Sequence, residues 1–302
     1  MAAAHEHNPG PRSCTILAMN RALIIGGTGT VGREVVAQLS NSGAQFRVLA
    51  RNPEDSRLPR KVEVVRGDLT RPESLDAGLD GVDTVFLVWV VPPAAVGPAL
   101  ERIVKRVRRI VFLSAPLKTP HPLFQQPNAG RDLGAKIENL IEASGLQWTF
   151  LRPGMFAANA TVWWGPQIRA GDVVRWPYLE VPTAPIDPRD IAAVAVRALT
   201  EDSHVGAEYV MTGPESLSQR EQVAIIGKAL GRTLQIEEIS PEEAQRELLT
   251  IMPAPVIKML MDAWAAASGQ PALVTSTVER ITGTPARTFL DWARDHAADF
   301  RA

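Results

Sequence analysis

The chain has one cysteine, Cys14, and two tyrosines, Tyr178 and Tyr209, among its 302 residues. A single cysteine cannot make an intrachain disulfide, so the fold must hold by packing, and a reducing cytoplasm suits it. No apolar run reaches the roughly 20 residues that a membrane span needs. The most apolar stretch, 82–96, contains Asp83, Pro92 and Pro93 and reads as a buried strand and a turn. Charge of one sign is lacking too: 32 Lys and Arg face 33 Asp and Glu, a net of -1. That removes a bulk field toward nucleic acid or anionic lipid, and neither is an expected partner. The basic run Lys105 to Arg109, broken by Val107, falls where a helix ends, the end of the dipole that cations favour. The first 18 residues lack the basic-then-apolar order of a signal peptide. Residues 1–19 are read as a non-folding extension, with His5-Glu6-His7 part of it; no metal is expected, and Met19 stands just before the first strand.

What is present is the ordinary balance of a globular protein, 45% hydrophobic and 22% charged. Short apolar runs at 23–25, 45–49, 62–65, 84–88 and 110–113 predict strands. Helical spacing separates most of them, as with Val31, Val35, Val36 and Leu39. This alternation predicts an α/β fold: a Rossmann-type doubly wound parallel sheet over residues 20–155. Residues 156–302 are predicted to form mainly a smaller, mostly helical substrate-side subdomain, with segments returning to the Rossmann core. Its expected helices span 191–199, 219–230, 242–249, 256–266 and 286–298, with one strand at 208–211. Thr70 with Glu73, Ser218 with Glu221 and Ser240 with Glu243 have capping-box spacing, and Asp187-Pro188-Arg189-Asp190 is a looser version. Asp187 and Asp190 are therefore assigned to structure rather than catalysis.

Gly26, Gly29 and Gly32 are spaced G-x-x-G-x-x-G between the first strand and the first helix. Such a turn lets a pyrophosphate approach the backbone, while the helix N-terminus supplies free amides and partial positive charge. Gly26, Thr28, Gly29, Thr30, Val31 and Gly32 are thus candidate contacts to a dinucleotide. An NAD site usually ends its second strand with an acid for the ribose hydroxyls. Here Leu49-Ala50-Arg51-Asn52 has none, and Arg51 can grip a 2′-phosphate, with Arg33 as a second contact. The expected cofactor is therefore NADP(H). Asp68 stands where it can accept from an adenine amino group or cap the following turn. Leu69, Val88 and Ser114, at or just after the ends of the third, fourth and fifth predicted strands, and Pro153 complete the expected cofactor set.

These segments, together with 144–154 (SGLQWTFLRPG), 187–191 and 211–215, resemble the NmrA-like branch of the atypical short-chain dehydrogenase/reductase superfamily. The resemblance spans nearly everything after residue 20. It implies NAD(P)H binding and kinship with quinone reductases, isoflavone-reductase-like enzymes and cofactor-sensing regulators. The superfamily's usual acid is a Tyr with a Lys four residues later. Aligning on Glu138-Asn139-Leu140-Ile141 puts those positions at Gly130 and Gly134; a slip of two puts them at Asp132 and Lys136. No tyrosine stands at either. Lys136, His121 and Ser114 are the candidate catalytic groups, with Lys118 nearby. Trp89, Met155, Phe156, Trp163, Trp164 and Trp176 are expected to wall the substrate pocket, because two adjacent tryptophans in an extended segment cannot both face one core. The expectation is an NADPH-dependent oxidoreductase passing hydride to an aromatic, quinone-like or enone acceptor. A non-catalytic NADP(H) sensor, a non-redox enzyme on the same fold, and an oligomer or regulatory protein partner remain open.

Overall fold

Alternate residues of Arg21–Ile25 (β1) sort to opposite faces. Ala22 and Ile24 enter one apolar core, Leu23 and Ile25 another. The computed structural model describes residues 21–116, 118–127 and 129–301. The expected tail, with Cys14, His5, His7 and Met19, lies outside them. After β1 come Phe46–Ala50 (β2), Glu63–Arg66 (β3), Val82–Val88 (β4), Arg109–Leu113 (β5) and Gln147–Pro153 (β6). Val173–Trp176 (β7), Pro182–Thr183 (β8), Ala207–Met211 (β9), Leu217–Ser218 (β10) and Gln235–Glu238 (β11) follow. Seven strands form one parallel sheet in the order β3-β2-β1-β4-β5-β6-β9. The order reverses between β1 and β4, and ligands of open α/β sheets bind outside the carboxyl ends at such a switch point.

Thr30–Ser42 (α1), Asp76–Leu79 (α2), Val96–Val104 (α3), Pro122–Gln125 (α4) and Ala129–Ala143 (α5) belong to the first half. Asn159–Trp163 (α6), Gly165–Ala170 (α7), Pro188–Thr200 (α8) and Gln219–Leu230 (α9) follow. Pro241–Leu248 (α10), Ala254–Ala267 (α11), Thr277–Thr282 (α12) and Phe289–Asp295 (α13) end the chain. Helices α1 and α8 cover one sheet face through Val35, Leu39, Ile191 and Val194; α3 and α5 cover the other through Leu100, Ile103, Ile137 and Ile141. A third core, drawn from residues 123–300, centres on Trp164, Trp176, Trp264 and Trp292. None of the described helices is long and apolar enough to cross a membrane.

Several local expectations change. Residues 147–153 make a full central strand, and β9 pairs parallel with β6 as the seventh strand of the main sheet. Thr70 does not cap a helix: its N–H is taken by Asp68 Oδ1 at 2.9 Å, and the 3-10 turn Pro72–Leu75 starts after Arg71. The expected helix at 286–298 divides into α13, with a capping box between Thr288 and Asp291, and a 3-10 turn at Ala297–Phe300. Ser218 and Glu221 make the reciprocal box at α9. Asp187 caps α8 from the Arg189 N–H and also pairs with its side chain, while buried Asp190 receives the Arg287 N–H and guanidinium.

Candidate functional site

The three glycines of the turn have different reasons to lack a side chain. Gly26 has φ +89°, and a Cβ there would come within 2.7 Å of Val88 Cβ. A Cβ on Gly32 would stand 2.7 Å from the Gly26 carbonyl carbon, so bare backbone lets α1 pack on the end of β1. Gly29 is different: the nearest atom to an added Cβ is the Gly26 oxygen at 3.4 Å, ordinary contact. The space over Gly29 is open, and Thr28, Gly29 and Thr30 are exposed. No side chain caps α1, whose first turn holds no acid. Its opening amides are therefore aimed at whatever lies over the turn. Arg33 donates to the Thr28 and Ser56 carbonyls at 2.8 and 3.1 Å, pinning the turn from behind.

At the end of β2, Arg51 is exposed, and among the described residues nothing accepts a hydrogen bond from its guanidinium. Its carbonyl is held by Arg66 at 2.9 Å, and Arg66 is fixed in turn by a two-pronged bond to Glu54. Asp68 follows β3. The Thr70 N–H, and more weakly the charges of Arg51 and Arg71, hold its carboxyl below its ordinary value of 3.8. Val31, Leu69 and Pro153 have buried side chains, so only their backbone is available at the strand ends. Val88 is half-buried beside Gly26.

Next to these ends, beyond β4, β5 and β6, lies a cavity of about 410 Å³. Trp89, Phe112, Phe124 and Trp264 give it aromatic walls, with Met155 and Met259 between them. Ser114 lines it, its N–H tied to the Leu151 carbonyl at 2.8 Å and its hydroxyl buried with no partner among the described residues. A buried hydroxyl left unpaired is costly, so this one points to a missing acceptor. Helix α5 presents Gly130, Leu133, Gly134 and Ile137 to the cavity. Of the two registers that the resemblance allows for Tyr and Lys, the one at Gly130 and Gly134 faces the cavity.

Lys136 is exposed on the other side of α5, because two residues beyond Gly134 means a turn of about 200°. His121 is likewise withdrawn from acid chemistry. Its Nδ1 accepts the Leu123 N–H at 3.2 Å as the cap of α4, so Nε2 carries the proton and donates it to the Pro271 carbonyl at 2.8 Å. Lys118 pairs with Glu208 at 3.5 Å. Neither tyrosine lines the cavity: the Tyr209 hydroxyl meets His204 Nδ1 at 2.8 Å, and Tyr178 packs at the edge of the tryptophan core.

Trp164 and Trp176, expected to wall the pocket, are fully buried. Trp163 meets both of them and Trp264, with ring centres 5.5 to 6.0 Å apart. Both neighbours reach one core because they sit at the end of a helix, not in an extended segment. Trp163 and Trp176 border a separate hollow of about 200 Å³. Phe156 packs into the sheet core, bridged to Ile186. Phe124, Arg131, Met259 and Trp264, which do line the large cavity, were not expected from the sequence. The apolar spacing of α11 announces a helix but not what that helix covers.

Residues 26–202 match a family described as NAD(P)H-binding. A (4-alkanoyl-5-oxo-2,5-dihydrofuran-3-yl)methyl phosphate reductase of Streptomyces griseus is 40% identical over 290 residues, covering 92% of this chain and 98% of that protein. An NAD(P)H azoreductase of Xenophilus azovorans is 36% identical over 288 residues, covering 93% and 99%. Among solved structures, the Citrobacter triphenylmethane reductase complexed with NADP(H) superposes with a TM-score of 0.77 at 18% identity, covering 91% and 99%. That last likeness shows the fold.

Proposed function

The chain belongs to the NAD(P)H-binding family, in its NmrA-like branch, and from that premise we propose that it is an NADPH-dependent reductase of conjugated, quinone-like or azo-type ring acceptors. The observation that carries this is the aromatic cavity beside the strand ends, with the unpartnered Ser114 hydroxyl in its wall. The bare backbone at Gly29 and the opening amides of α1 would hold the pyrophosphate, and Arg51 the 2′-phosphate. When bound, NADPH supplies a hydride. Trp89, Phe112 and Trp264 orient a flat ring and keep water from it. Ser114 donates a hydrogen bond to the atom on which negative charge gathers. The acceptor gains two electrons and a proton as hydride, and a second proton arrives from solvent.

No tyrosine and no lysine is available to this cavity among the described residues. Acceptors whose reduced anion is delocalised and weakly basic therefore suit it best. A simple ketone develops a localised alkoxide and needs a positioned donor, typically worth about 10²–10⁴-fold in rate. Anaerobic NADPH oxidation with matched quinones and ketones tests the reading. Quinones should be reduced and simple ketones should lag by about that factor. Equal rates on both, lost when Tyr178 or Tyr209 is replaced, would overturn the mechanism. Tight NADPH binding with no acceptor reduced would favour a cofactor sensor instead.

A further inference from the structure

We infer that the acceptor is a fused polycyclic ring system, and that Gly130 and Gly134 of α5 with Ala263 of α11 set the size that fits; this rests on the reductase reading of the same cavity. All three residues line it. Its volume of about 410 Å³ falls in the range of about 300–1,000 Å³ that takes a drug-sized ligand, more than a single ring fills. The aromatic walls and the buried Ser114 hydroxyl mark the site itself. The small residues decide how far a guest extends from that hydroxyl.

Helix α5 changes character with what it faces. Against the sheet it uses Ile137 and Ile141, 1% and 0% exposed. Toward the cavity it has Gly130 and Gly134, one turn apart on one face and about 6 Å apart along the axis. Glycine is the poorest helix former after proline, so two on one face weaken α5 unless their bare backbone serves something. Neither glycine is buried. Helix α11 repeats the arrangement. Leu260 and Trp264 are buried in the third core, while Ala263 between them is half-buried and lines the cavity. A strip of bare backbone as long as that on α5 exceeds the width of one six-membered ring, so it admits the edge of a second. The competing account is that the glycines let α5 pack closely on the protein itself. Gly134→Ala separates the two: a methyl in open space strengthens the helix, and a methyl pressed on protein weakens the fold.

The test is calorimetric titration of the NADP⁺-loaded protein with acetophenone and 2-acetonaphthone, which offer Ser114 the same carbonyl on one ring or two. The parent should bind the naphthone about tenfold or more tightly, the value of burying the second ring. Gly134→Leu and Ala263→Leu put back about as much hydrocarbon as that ring adds, and each should remove the margin while acetophenone binds as before. Gly134→Ala and Ala263→Val should shrink it, and they decide the matter where a leucine variant does not fold. Gly134→Ala should also melt slightly above the parent. Equal binding of the two ketones by the parent overturns the inference. So does a margin that survives in a folded leucine variant, equal weakening of both ketones, or a Gly134→Ala protein that melts below the parent. A turnover arm compares 1,4-benzoquinone with 1,4-naphthoquinone. A margin in binding that responds to these substitutions, with neither quinone reduced, would sink the reductase reading and keep the size filter. Reduction of both quinones, with a KM ratio that Gly134→Leu and Ala263→Leu leave untouched, would do the reverse.

Discussion

A branched side chain at Gly29 should remove NADPH binding and leave the fold standing. The backbone there has φ -86° and ψ 177°, comfortable for any L-residue. An added Cβ meets nothing closer than the Gly26 oxygen at 3.4 Å. The loss of glycine as N-cap costs a few tenths to about 1 kcal/mol, and the stiffer unfolded chain returns about 0.4–1 kcal/mol. Stability of Gly29→Val should therefore stay close to that of the parent. Binding should not. If the pyrophosphate takes two backbone amides of α1, each charge-assisted bond is worth about 1.5–3 kcal/mol, so blocking its approach should cost about 100-fold or more. Gly32→Ala is the control with the opposite expectation. Its methyl would overlap the Gly26 carbonyl, an overpacking worth about 1–3 kcal/mol of stability. Thermal melts with and without NADPH read both effects. At a ligand excess of about 100 Kd the parent gains about 2.7 kcal/mol from binding, a shift that Gly29→Val should lack. A folded Gly29→Val with unchanged NADPH affinity would show that the phosphates lie elsewhere. A Gly32→Ala protein as stable as the parent would refute the packing account of the turn.

Arg51→Ala should weaken NADPH by about 1.5–3 kcal/mol and leave NADH unchanged; equal affinities for both cofactors in the parent, by fluorescence titration, would defeat the assignment. Glu138→Ala leaves the buried Arg152 guanidinium with only Glu208, and should cost about 3–5 kcal/mol in denaturant unfolding; a loss below about 1 kcal/mol would mean that water reaches Arg152. Thr288→Ala removes the cap of α13 and should cost about 1 kcal/mol at neutral pH. The Thr288 hydroxyl bond holds the Asp291 carboxyl below its ordinary 3.8, so this contribution is complete above pH 3.8 and is lost as pH falls through the lower folded value. The deficit of Thr288→Ala, followed by melting from pH 7 downward, should narrow below pH 3.8; a constant deficit would exclude the carboxylate from the cap.

The first five strands and the glycine turn were legible because each is announced within a few residues of sequence. Apolar runs bounded by glycine need no distant partner to be recognised. Strand β6 escaped that test. It carries Thr149 and Arg152, both buried, whose polar groups are met by the His204 carbonyl and the Glu138 carboxylate. Those partners lie 55 and 14 residues away, so the local pattern reads as mixed where the folded strand is satisfied. Strand β9 was visible, but its place against β6 depends on pairing across more than 50 residues. The cavity was the least legible part. Its wall combines side chains following β4, β5 and β6 with Met259 and Trp264 of α11. No local signal says which face of α11 will meet them.

The orientation of α5 decides the chemistry of that wall, and the buried anchors of the helix set it. Taking Gly130 as zero, successive residues advance by about 100°, which places Gly134 near 40°, Ile137 near -20°, Glu138 near 80° and Ile141 near 20°. Ile137 and Ile141 are in the sheet core, and Glu138, 2% exposed, is bound to Arg152 of β6 at 2.6 Å. All of these lie on one stripe with the two glycines, so the contacts that seat the helix also turn Gly130 and Gly134 to the cavity. Asp132 and Lys136 fall near 200° and 240°, in solvent. To bring them inside, the helix would have to turn by about 200°, expose two isoleucines and leave the Arg152 guanidinium without Glu138. The isoleucines alone would forfeit about 1.5–3 kcal/mol each, before the cost of the stranded charge. The alignment that slips by two residues is thereby disfavoured on energy. In the proposed reductase, an acid absent at Gly130 and Gly134 would have no substitute elsewhere on α5, which would leave acceptor choice to the flat aromatic walls and Ser114.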